Sequence, residues 1–152
     1  RTYGRVAVGG TFDRLHYGHR KLLTLAVASV RDADGLLVVG ITADAMLTHK
    51  TRSALIAPLG ERTASVVAFL DDLAPGLKNR RKCVPITDEY GPLASDPSFD
   101  ALVLSHEVLE NGGAANAERE RRGMAPVDLL VTERTGCFGM SSTALREQDV
   151  VP

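Results

Sequence analysis

The sequence predicts a doubly wound α/β fold built on one five-stranded parallel sheet. Three observations point there. Five short apolar runs are spread along 152 residues, helix-compatible segments separate most of them, and the unusual polar segments follow the apolar runs. Runs that are apolar throughout suit strands buried on both faces, and parallel neighbours need crossover connections, usually helical.

The first strand is expected at residues 6–8, the core of RVAVGG. The helix after it is expected at residues 18–30, GHRKLLTLAVASV, whose leucines and alanines fall on one face. GLLVVGI, residues 35–41, is an all-apolar second strand. LGERTASVVAFLDDL, residues 59–73, reads as the second helix, with Pro58 at its start and APG ending it. KCVPI is the third strand, short because Pro85 has no amide hydrogen for a ladder. DALVLS, residues 100–105, is the fourth, and ANAERERRG reads as a solvated helix closed by Gly123. VDLLVT, residues 127–132, is the fifth strand, and SSTALREQ, from Ser141, opens a last helix with a strong hydroxyl cap.

Composition bounds the function. A chain that is 44% hydrophobic and 24% charged suits one globular domain, residues 1–152, and excludes disorder. With 18 basic and 19 acidic side chains the net charge is −1, so no global field points toward nucleic acid or a membrane surface. Any phosphate binding must come from local placement. Cys83 and Cys137 fit neither a metal spacing nor a disulfide framework, which points to a reducing, cytoplasmic compartment. No apolar run approaches the roughly 20 residues that span a bilayer. Organellar import stays open, because the chain starts at Arg1 rather than methionine.

Ligands of doubly wound sheets bind beyond the carboxyl ends of the strands, at a switch point in strand order. Residues 9–19, 42–52, 87–96, 105–116 and 132–142 each follow a strand and therefore share that edge. In the first of them, GGTFD lets a backbone approach a ligand closely, and the helix starting near Gly18 offers amides and a positive dipole end. Neither a Walker loop nor GxGxxG is present. His16 and His19, three residues apart, share a face if the helix has begun. Two imidazoles beside helix-start amides suit a phosphoryl group in transfer, whose extra charge needs prearranged donors. A metal pair or two structural histidines would show the same spacing.

At this point the residues carry a resemblance. GGTFDRLHYGH resembles the [HT]-x-G-H signature of the nucleotidyltransferase superfamily, and MSSTALR, residues 140–146, resembles its second signature, ISSTxxR, with Met140 in place of isoleucine. MLTHK, PITDEYGP and VLSHEVLENGGAANAERERRG are similar to segments of the phosphopantetheine adenylyltransferases of the eukaryotic, notably plant, type. The likeness runs from about Val6 to Arg146 and implies a Rossmann-like single domain.

The resemblance implies transfer of the adenylyl group of ATP to 4′-phosphopantetheine, with Mg2+ carried by the ATP phosphates rather than by protein ligands. It makes His16, His19, Lys50 and Arg146 catalytic. ATP would be held by Gly9, Gly10, Thr11, Phe12, Gly18, Ser105, Glu107, Gly113, Asn116, Ser141, Ser142 and Thr143, with Gly112 beside them. Thr11, Asp13, Lys50, Asp88 and Tyr90 would meet the acceptor.

Read from the residues alone, each has a plainer alternative. Lys50 is a loop lysine, Asn116 a helix cap, DEYGP a turn, and the Ser141–Ser142–Thr143 run a cap followed by Arg146 on the same face. His49 and Arg52 read as solvated cations, Cys137 as packing, and ERERR as a solvated helix face. Arg14 stands where many bacterial relatives carry proline, and a phosphate contact and a surface ion pair are both open to it.

Three other functions fit parts of the pattern. A different nucleotidyltransferase, acting on nicotinamide mononucleotide or a phosphorylated alcohol, would share both signatures, but the specificity loops argue against it. A class I aminoacyl-tRNA synthetase fragment lacks support, since no KMSKS-like run follows. A non-catalytic nucleotide-binding scaffold would keep the fold, and the intact histidines weigh against it. Oligomeric state is not readable from the sequence.

Overall fold

The computed structural model describes residues 1–47 and 56–132. Strands β1 (Arg5–Gly10), β2 (Leu36–Thr42), β3 (Arg81–Ile86), β4 (Ala101–Ser105) and β5 (Asp128–Thr132) form one sheet in the order β3-β2-β1-β4-β5. Every adjacent pair is parallel. Helices α1 (Tyr17–Ala28), α2 (Leu59–Leu73) and α3 (Leu109–Arg121) supply three of the crossovers, as expected for a Rossmann-like sheet. Pro85 lies in β3, an edge strand, where a missing amide leaves no inner ladder broken.

Alternation along the central strands explains why the sheet is covered on both faces. Val6 and Val8 of β1, with Leu37 and Val39 of β2, enter a core shared with Leu23 and Ala26 of α1 and Val66 and Leu70 of α2. The residues between them, Ala7 and Val38, point into a second core with Leu93, Phe99, Ala115 and Val127. Burying one such aliphatic side chain contributes about 1.5–3 kcal/mol, so each face is held by several such contributions. Among the described residues no helix is long and apolar enough to cross a membrane.

The switch point lies between β1 and β4. The β1–β2 ladder continues to Gly10↔Ile41 and the β4–β5 ladder to Ser105↔Thr132, but β1 and β4 pair only as far as Val8↔Val103. Their carboxyl ends are thus the one inner place on this edge where backbone pairing stops short. The strand order, which the amino-acid pattern left open, puts the loop after β1 beside that opening.

One helix departs from expectation. α3 begins at Leu109 rather than near Ala115, so Gly112, Gly113 and Asn116 lie inside it. A Cβ at Gly112 would come within 3.0 Å of both Leu104 and Leu129, which shows why this helix tolerates a glycine: it packs almost against the sheet. ERERR is also not wholly solvated, because Arg119 within it is completely buried.

Candidate active site

The loop that joins β1 to α1 is strained and tethered. Phe12 and Arg14 have φ of 53° and 50°, in the left-handed region, which costs non-glycine residues about 1–3 kcal/mol each. The Phe12 side chain is fully buried and anchors the loop in the core. Two bonds tie the loop sideways: the Thr11 carbonyl accepts from Arg62, and Asp13 Oδ1 accepts from the Ala57 amide at 3.0 Å.

α1 starts at the histidines. His16 is its N-cap, and its Nδ1 accepts a hydrogen bond from the Gly18 amide at 3.0 Å. A neutral His16 therefore carries its proton on Nε2, leaving a donor for a ligand without needing a charged ring. Gly18 makes room for this cap, since a Cβ there would sit 3.0 Å from His16 Cε1 and 3.2 Å from Nδ1. The His19 ring stacks on His16 with centroids 3.8 Å apart and planes inclined by 20°. The Phe12 ring is tilted by 54° to that of His19, with centroids 5.4 Å apart.

His19 Nδ1 is buried and has no hydrogen-bond partner among the described residues, as is also true of Arg5 Nε and Arg81 Nη1. Burial first, and His16 second, hold its ring below the ordinary imidazole range, while Asp13 pulls the other way. The arrangement presents two closely stacked imidazoles at a helix N-terminus, a setting prepared to receive negative charge.

Around this centre the expected residues divide. Gly9, Gly10, Thr11, Phe12, Asp13, His16, Gly18 and His19 fall in one continuous strand, loop and helix start. Phe12 can take part only through its backbone, its ring being in the core. Ser105 ends β4, next to the switch opening, and Glu107 follows in a short turn of helix, His106–Val108. At Gly113 an added Cβ would meet nothing within 4 Å, so that face of α3 is open.

Asp88 Oδ1 accepts from the Gly91 amide at 2.6 Å and shapes the turn in which Gly91 has φ of 62°. Tyr90 packs against the second core. Asn116 is a correction. Its amide donates to the Val127 carbonyl at 3.0 Å and accepts from the Val127 amide at 2.8 Å, joining α3 to the start of β5. It is not the helix cap expected, because it lies inside α3, and the two bonds leave its amide one further N–H and one further lone pair for the expected ATP contact. Lys50, Ser141, Ser142, Thr143 and Arg146, with His49, Arg52, Cys137 and Met140, lie outside the described residues.

Reading the sequence missed Arg62. It is 1% exposed, and its guanidinium donates to the carbonyls of Ala57 at 2.7 Å, Thr11 at 2.9 Å and Thr42 at 2.7 Å, and to Asp44 Oδ1 at 2.7 Å. A signal was present. Arg62, Val66 and Leu70 recur at helical spacing, so the arginine occupies the buried stripe of α2.

Residues 7–148 match the cytidylyltransferase-like family model. The chain is 33% identical over 129 residues to the phosphopantetheine adenylyltransferase of Methanopyrus kandleri, covering 85% of this chain and 78% of that protein. It is 33% identical over 148 residues to that of Pyrococcus furiosus, covering 95% and 88% respectively. Among solved structures, a protein of unknown function from Archaeoglobus fulgidus superposes with a TM-score of 0.69 at 30% identity, over 86% of this chain and 98% of that one.

Proposed function

Since the chain belongs to the cytidylyltransferase-like family, we propose that it transfers the adenylyl group of ATP to 4′-phosphopantetheine, giving dephospho-coenzyme A and pyrophosphate. The single observation that carries this reading is the stacked His16–His19 pair at the start of α1, beside the strand-order switch. The named activity of the archaeal relatives supports the choice of substrates.

In the proposed reaction an oxygen of the acceptor phosphate attacks the α-phosphorus. The bond from that phosphorus to the bridging oxygen breaks, and pyrophosphate leaves without an enzyme-bound intermediate. Catalysis is then positioning and charge stabilisation. His16 Nε2–H donates to a phosphate oxygen while Nδ1 stays on the Gly18 amide. His19 meets the ligand as a neutral ring, and the arriving negative charge favours its protonation. Lys50 and Arg146 are proposed to contact the reacting phosphates, and Ser141, Ser142 and Thr143 the ATP phosphates, on the signatures they match.

Mg2+ is proposed to come with ATP and to neutralise the leaving pyrophosphate. The donor set suits an ATP that brings its own metal, for the imidazoles face phosphate oxygens and the carboxylate of this loop, Asp13, is already bonded to the Ala57 amide. We place the reaction in a reducing compartment, the cytoplasm, on the cysteine usage.

Pyrophosphate release, measured with ATP, magnesium and alternative acceptors, tests the assignment. Release is expected with 4′-phosphopantetheine. Release only with nicotinamide mononucleotide or a phosphorylated alcohol would overturn the acceptor, and release with none would favour a binding scaffold. His19→Ala should lower turnover about a hundredfold while ATP binding largely survives.

A further inference from the structure

We infer that Arg62 is a positioning residue for the phosphate site, holding the first half of the loop that delivers His16 and His19, from Thr11 to Asp13. The inference rests on reading those histidines as that site. Arg62 acts on the loop by two routes. Directly, its guanidinium bonds the Thr11 carbonyl at 2.9 Å, immediately before the left-handed Phe12. Indirectly, its Nε bonds the Ala57 carbonyl at 2.7 Å, and the amide of the same residue holds Asp13 Oδ1 at 3.0 Å.

The remaining donors fasten this assembly to the end of β2 through Thr42 and to Asp44. One planar fork therefore joins the loops after β1 and β2 to the start of α2. The strain at Phe12 and Arg14 gives the loop a reason to relax once the fork is lost. A lysine cannot replace it, because three donors on one nitrogen do not reach acceptors spread around a guanidinium plane.

The test compares Arg62→Lys with Arg119→Lys. Arg119 is equally buried, and its acceptors are the carbonyls of Leu93, Asp96, Pro97 and Ala125, none of them in the loop. Histidine Cε1–H resonances are titrated by NMR on folded protein well below each unfolding midpoint. In Arg62→Lys the His16 and His19 signals should move and His19 should titrate closer to an ordinary imidazole, with His106 unchanged. Arg119→Lys should leave all three in place.

Unmoved His16 and His19 signals in Arg62→Lys would overturn the inference, and so would equal movement in Arg119→Lys, which would mark general loosening. If Arg62→Lys does not fold, Asp44→Ala removes one acceptor from an exposed position and should move the same two signals in the same direction by less. No movement there would again overturn it. Turnover in Arg62→Lys should fall about tenfold or more, with a smaller change in KM for ATP. The NMR arm needs no acceptor, so an inactive wild type would sink the proposed reaction without touching this result.

Discussion

Arg62 and Arg119 head the largest fully buried side chains among the described residues, and they sit at opposite ends of the molecule's logic. Each occupies the inward stripe of its helix: Arg62, Val66 and Leu70 on α2, and Gly112, Ala115 and Arg119 on α3. Each spends most of its donors on backbone carbonyls in or beside loops, Thr42 closing β2 and Leu93 lying in a short helical turn. A buried carbonyl left unpaired is costly. The difference lies in what is gathered. Arg62 collects the ligand edge and one carboxylate, Asp44, whereas Arg119 collects the connection between β3 and β4 and the turn before β5. The same device thus serves a site in one place and chain closure in the other.

The comparison breaks most visibly on stability. Arg119→Ala should cost about 3 kcal/mol or more, because several buried carbonyls lose their donor together. Urea unfolding measures it, and turnover per folded molecule should stay near wild type. A loss below about 1 kcal/mol would show that water replaces the guanidinium and that no hub exists there. Asp44→Asn is milder. Asp44 also accepts from the Leu59 amide at 3.1 Å, and its side chain is 62% exposed, so asparagine should cost only about 0.5–1 kcal/mol. A cost of about 3–5 kcal/mol would mean that Arg62, unlike Arg119, depends on a carboxylate partner.

These hubs also mark where the sequence stopped being readable. The strands and the histidine signature were legible because apolar runs and fixed spacings are local. The histidine cap was half legible: HYGH placed the helix start within a residue, but the bond from the Gly18 amide to His16 Nδ1 depends on the extended backbone that His16 adopts as the cap residue. α3 was expected only from Ala115, after the Gly112–Gly113 pair, and starts at Leu109. In the fold Gly112 permits close packing on Leu104 and Leu129, and Asn116 finds the backbone of Val127.

The arginines were misread for a different reason. Periodicity counts a charge as surface, and the carbonyls that satisfy these two come together only after the chain has folded. Arg62 bonds Thr11, which is 51 positions away. The stripe itself, with arginine standing where an aliphatic is expected, was the available clue.

The smallest expected effect separates the histidine stack from both hubs, since a guanidinium keeps its proton at every relevant pH and an imidazole does not. His19 is held below the ordinary value of 6.5, chiefly by burial and then by His16, against the pull of Asp13. In the unfolded chain the ring returns to that ordinary value and takes up its proton at higher pH than in the fold. As pH falls through about 6.5 the unfolded state gains protons first, so stability declines, and the decline ends once the folded ring is protonated too. Urea midpoints taken across that window should fall in the wild type and change less in His19→Gln. Arg119→Ala, remote from the stack, should keep the wild-type slope on a lower baseline, because distant sites add. Equal slopes in wild type and His19→Gln would mean that the ring is not desolvated as the stack requires, and a slope altered by Arg119→Ala would join the two regions that the fold keeps apart.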